Sequence, residues 1–177
     1  MPIVAWLDLL LLVLVVAAAI HDLAVRKIPN KLLLAGSLGA LGLYLCGPAP
    51  AADLRSALGG AAIGFALFLP LYVVRGMAAG DVKMMATVGL FLGPSDTVHA
   101  CILAWCVGGV MALAMLLVTG RWRIAYTNMR SLLLPLLLRM GPVTPPGNTA
   151  QPSAGSMPYG VAIALSTIWL LAQRHHA

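Results

Sequence analysis

The chain of 177 residues is 61% hydrophobic and only 9% charged, with a mean hydropathy of +0.96, whereas an average soluble domain is about 25% charged. Too little polar surface remains to coat a soluble globule, and the deficit runs along the whole length, so residues 1–177 are expected to form a single membrane-embedded domain. The net charge of +6 and pI near 9.7 do not mark a nucleic-acid binder, because the basic residues lie between apolar runs and not in a continuous patch with interleaved aromatics.

Crossing a bilayer takes about 20 apolar residues. The first run, 3–20, is long enough. Its Ala17-Ala18-Ala19 looks like a signal-peptide cleavage site, but no basic segment precedes the run, and Arg26, Lys27 and Lys31 follow it as a stop-transfer cluster. It is read as a mature helix. Further spans are predicted at 31–45, 57–74, 84–92, 97–118 and 158–172, making an all-α, polytopic membrane protein with about six spans and short loops. The second and fourth are short, and need flanking residues, a thinner bilayer or shielding neighbours. Glycines at helical spacing, Gly36, Gly39 and Gly42 in the second span and Gly60 and Gly64 in the third, predict close helix packing. Residues 132–138 are apolar but too few to cross, and read as an interfacial or re-entrant piece. Residues 141–156, rich in Pro, Gly, Ser, Thr and Asn, read as a flexible loop.

Basic residues are retained on the cytoplasmic side. With the amino terminus outside, cytoplasmic segments hold Arg26, Lys27, Lys31, Arg75, Lys83, Arg121, Arg123, Arg130 and Arg139, and outer segments hold only Arg55 and Arg174. Both termini then face outward, and the loops after the first and third spans face the cytoplasm.

Carboxylate chemistry can draw only on Asp8, Asp22, Asp53, Asp81 and Asp96, since the chain has no glutamate. Asp22 closes the first helix, where it meets the negative end of the helix dipole. Two readings stand: a partner for Arg26 one turn on, or a functional group, as ionisable residues at membrane depth commonly are. Asp81 precedes the fourth span and suits an N-cap, while the small residues before it, Ala78, Ala79 and Gly80, would let a substrate backbone approach closely. If the two acids met, they would share one proton, because like charges a few ångströms apart cannot both ionise cheaply. One could then deprotonate water while the other protonates a scissile group.

Other constellations are weaker. There is no G-x-S-x-G and no H-E-x-x-H. Cys46, Cys101 and Cys106 have neither zinc-site spacing nor a disulfide framework, and His21, His99, His175 and His176 are scattered. No metal and no cofactor is expected.

Asp22 followed by Arg26-Lys27-Ile28-Pro29-Asn30, then Gly76-Met77-Ala78-Ala79-Gly80-Asp81-Val82-Lys83, resemble the two aspartate motifs of the type IV prepilin peptidase family. Met157-Pro158-Tyr159-Gly160 is similar to the start of that family's last helix. The resemblance implies a membrane aspartic endopeptidase that cleaves the leader of prepilin or pseudopilin precursors at the cytoplasmic face of the inner membrane. It makes Asp22 and Asp81 catalytic and Gly80 the glycine before the second aspartate. Lys83 takes the motif's lysine position, either in the site or as a headgroup anchor. Pro29 is expected to set the chain direction and Asn30 to cap the second helix. Ala78 stands where the family has a glycine, a change that costs little if φ there is negative. The chain is similar to the short members associated with tight-adherence (Flp) pili, lacking the cysteine-bearing cytoplasmic domain of the long enzymes. A non-enzymatic transporter or scaffold, with both aspartates structural, is the alternative.

Overall fold

A computed structural model describes residues 3–74, 76–120 and 157–176, with the backbone only at His176. Six helices stand among the described residues: α1 (Ile3–Val25), α2 (Asn30–Leu45), α3 (Pro50–Val73), α4 (Ala79–Leu92), α5 (Pro94–Thr119) and α6 (Tyr159–His176). Each overlaps one of the predicted apolar segments, and no strand occurs among the described residues. The expectations for 132–138 and 141–156, and the side chains of Arg75, Arg121, Arg123, Arg130 and Arg139, lie outside them.

The chain divides into two compact units. One comprises Met1–Gly108 with Pro158–Ala177 and holds α1 to α4, the first part of α5, and α6. The other is Gly109–Met157, of which the last part of α5 is described.

Helices α1, α3 and α5 are long and apolar enough to cross a membrane. Apolar side chains such as Val13, Ile20, Val73 and Leu113 lie on the outside, an arrangement that water would oppose and lipid accepts. Helix α4, at 14 residues, is about 21 Å long at ~1.5 Å per residue, short of the ~30 Å hydrocarbon core. Its neighbours shield it: Asp81, Val82, Met84, Met85 and every residue from Thr87 to Leu92 are buried.

Glycines explain how closely α4 is held. Gly60 and Gly64 of α3 face its backbone: a Cβ at Gly60 would run into the Gly89 carbonyl, and one at Gly64 would lie 2.6 Å from the Met85 carbonyl oxygen. The predicted small-residue packing is thus realised in α3, and Gly36 of α2 likewise accepts the Leu14 side chain, whereas Gly42 faces open space. Gly93 ends α4 with φ of 78°, in the left-handed region that favours glycine, and Pro94 at once begins α5.

At the end of this unit where α1 begins, Arg174 of α6 donates to Asp96 through Nε (2.9 Å) and Nη2 and to the Leu92 carbonyl (3.1 Å), and lies 3.7 Å from Asp8. The Tyr44 hydroxyl donates to the Leu90 and Phe91 carbonyls at 3.1 and 3.2 Å, satisfying acceptors that α4 leaves open at its C-terminus. These bonds fix the ends of α4 and α6 opposite the candidate site.

Candidate active site

The last turn of α1, the first turn of α4 and the first turn of α6 build the site. Asp22 and Asp81 are buried to 6% and 5% exposure, and the burial of two acids in a chain with five requires partners. Helix α1 stops just after Asp22: Arg26 turns into the left-handed region at φ of 57°, and its N–H donates to the Asp22 carbonyl at 2.9 Å. That conformation costs a non-glycine residue about 1–2 kcal/mol, and it turns the chain sharply into Lys27 and Ile28. His21 braces the turn, with Nδ1 2.6 Å from the Lys27 carbonyl oxygen; since that oxygen can only accept, Nδ1 carries the proton.

The segment after the turn lies on the second motif. Ile28 sits against Gly80, where a Cβ would come no nearer than 3.4 Å to it, and Lys83 Nζ donates to Asn30 Oδ1 at 3.2 Å. Asn30 therefore does not cap α2; Pro29, extended at ψ of 122°, holds the N-cap position without a side-chain bond, and the Asn30 amide oxygen serves Lys83. The lysine thus bridges the two motifs.

Asp81 is not the N-cap of α4 either. Ala78 takes that position, and Asp81, three residues on, accepts the Ala78 N–H at 3.1 Å, as an acid at N3 does in a capping box. Ala78 has φ of −82° and ψ of 154°, an extended conformation open to any residue, so alanine there adds no backbone strain. Gly80 too has no positive φ.

Asp22 Oδ2 accepts the N–H of Gly160 at 2.9 Å across a sequence separation of 138, which brings the third motif to the first. Tyr159, beside it, donates from its hydroxyl to the Ala104 carbonyl at 3.3 Å and packs edge-on to Phe68.

Asp81 lies ahead of the apolar stretch that starts at Met84. Burial pushes its carboxyl up from 3.8 to about 6, the Ala78 N–H opposes this, and the Asp22 charge adds to it. The Asp22 charge is the smallest of these three causes. A raised carboxyl holds its proton more tightly folded than unfolded, so its contribution to stability is complete below pH 3.8 and is lost as pH rises through about 6. Asp81→Asn should accordingly raise the melting temperature above pH 6 and leave it nearly unchanged around pH 4, read by thermal unfolding in detergent across pH.

Among the described residues, no group of three or more His, Cys, Asp or Glu could hold a metal ion. Residue types pointed neither to the bond between His21 and the Lys27 carbonyl, nor to the Asn30–Lys83 bond, nor to the Gly160 N–H on Asp22. The third motif was visible as Met157-Pro158-Tyr159-Gly160, but a backbone donor leaves no trace in residue type.

Fold and site together define a helical membrane protein with two buried carboxylates at one end of its bundle. Residues 9–113 match the model of the type IV leader peptidase family, more than half of the chain, and the protein belongs to that family of peptidases. No curated protein and no solved structure matches it. The matched span contains Asp22, Ala78, Gly80, Asp81 and Lys83, and stops before α6.

Proposed function

We propose that this protein is a membrane aspartic endopeptidase that removes the leader of prepilin or pseudopilin precursors, with Asp22 and Asp81 as its acid/base dyad. The observation that supports it most is the burial of two acids, 59 positions apart, at the helix ends where the two motifs pack together through Ile28 against Gly80 and Lys83 on Asn30. A pair sharing one proton suits amide hydrolysis: one carboxylate takes a proton from water as it attacks the scissile carbonyl, and the other gives its proton to the carbonyl oxygen. The tetrahedral intermediate then collapses, the amine leaves with the proton taken from water, and the second acid recovers its own.

Six spans are the reading that the six helices favour, with α2 and α4 crossing beside longer neighbours. The excess of basic residues around Asp22 and Asp81 orients this end to the cytoplasm of the inner membrane and both termini outward. A precursor with a basic leader and an apolar helix would then lie in the bilayer with its cleavage site at the rim. The whole of 1–177 would act as one membrane domain.

Co-expression with small precursors of this kind, followed by mass measurement of their amino termini, tests the function. The expected product begins at or next to the apolar segment and appears only with the intact protein. Unprocessed precursors throughout would favour the transporter or scaffold.

A further inference from the structure

Gly160 is buried, and it lacks a side chain at a position where one could not fit. Its N–H donates to Asp22 Oδ2 at 2.9 Å. A Cβ on it would stand 2.9 Å from that same oxygen and 3.2 Å from both Cβ and Cγ of Asp22, closer than carbon and oxygen atoms normally pack. Those neighbours, Oδ2, Cβ and Cγ, belong to a short side chain anchored in the last turn of α1, so relief would have to come from the carboxylate itself. Gly80, the glycine of the aspartate motif, is in a different situation: its Cβ would touch Ile28 at an ordinary 3.4 Å.

The bond also meets an electrostatic need. Asp22 lies at the C-terminal end of α1, where that helix's dipole disfavours negative charge, while Gly160 lies in the first turn of α6, whose free N–H groups and positive dipole end favour it. Helix α6 is held from its other end as well, through Arg174 to Asp8, Asp96 and the Leu92 carbonyl, and beside Gly160 through Tyr159 to Ala104. The donor is therefore carried on a helix fixed at both ends.

We propose that Gly160 is a positioning residue of the peptidase: its N–H holds Oδ2 of Asp22, and its missing side chain leaves the room to do so, turning Oδ1 toward the reacting water and the shared proton. This rests on Asp22 and Asp81 being the dyad. Fixing one oxygen decides which lone pairs face the substrate, and a displacement of that carboxylate by the width of a methyl group would spoil proton transfer without altering how the precursor's apolar helix binds.

Gly160→Ala, assayed on a purified precursor, is expected to lower kcat by roughly 10- to 100-fold, the loss that a misplacement of about 1 Å can cause, with KM within about twofold of the parent. Gly42→Ala, whose Cβ meets nothing within 4 Å, serves as the control and should match the parent. An unchanged kcat in Gly160→Ala would overturn the proposal, and so would a fall that appears wholly in KM. If Gly160→Ala does not insert, Asp22→Ala/Gly160→Ala decides: removing the carboxylate should restore insertion and most of the melting temperature, and failure to restore them would place the defect elsewhere and overturn the contact. The dyad has its own test. Asp22→Asn or Asp81→Asn keeping more than about a tenth of the parent rate would refute the dyad, whereas near-dead Asp→Asn variants with a fully active Gly160→Ala would refute only the positioning role.

Discussion

Asp22→Asn and Asp81→Asn should each yield a protein that inserts at the parent's level and processes precursor at least about 100-fold more slowly, at the scale by which a positioned acid or base accelerates a reaction. Asparagine keeps the shape and the acceptor oxygen of each side chain. The Gly160 N–H can still bond residue 22 and the Ala78 N–H residue 81, as they do in the parent at 2.9 and 3.1 Å. What is lost is the ability to carry a proton. Because one proton serves the pair, the double variant should be no slower than either single one, as expected for groups that act as a unit. Processing rate at matched membrane abundance is the measurement. A single variant keeping more than about a tenth of the parent rate would remove that residue from the chemistry, since such a loss is below the usual contribution of a general acid or base.

Gly60→Ala should destabilise the protein by about 1–3 kcal/mol, the usual effect of forcing a methyl group into a packed interior. Its Cβ would collide with the Gly89 carbonyl and reach within 2.8 Å of the Gly93 carbonyl carbon, and these are backbone atoms that no rotamer change can move. Helices in lipid associate through close packing and not through exclusion of water, so α3 and α4 have little to replace this contact. The displacement would propagate along α4 to Asp81, three residues into the helix, and lower activity together with the melting temperature in detergent. Gly42→Ala, facing open space, should keep the parent's melting temperature or exceed it slightly. Equal melting temperatures for Gly60→Ala and the parent would mean that the α3–α4 contact is looser than described.

These expectations differ in how much of them could be read from residue types. The aspartates were visible individually, because five acids in an apolar chain stand out, and Asp22 and Asp81 each sit at the edge of a hydrophobic run. Their local roles were less visible. Asp81 is the third residue of the fourth helix's first turn and not its cap, because the helix starts earlier, at Ala79, with Ala78 extended before it. Asn30 was expected to cap α2 and instead receives Lys83, since Pro29 already sets the entry to the helix and frees the amide for a partner 53 positions away. The short fourth segment looked marginal on length alone; its helix, at 14 residues, is instead held by its neighbours, with most of its residues buried.

Residue type alone settled that this chain belongs in a membrane and is helical, because hydrophobicity and its period are local properties that each segment carries without its neighbours. It also narrowed the acids available for chemistry to a handful. Only the tertiary structure decided that Asp22, Asp81 and the start of α6 share one end of the bundle, that Ala78 is harmless where a glycine was expected, and that Gly160 touches a carboxylate 138 positions earlier. Such facts depend on how far apart helices stand and which way they face. The closeness is set by the absence of side chains at Gly60, Gly89 and Gly160, and a missing atom acquires meaning only when something else occupies its place.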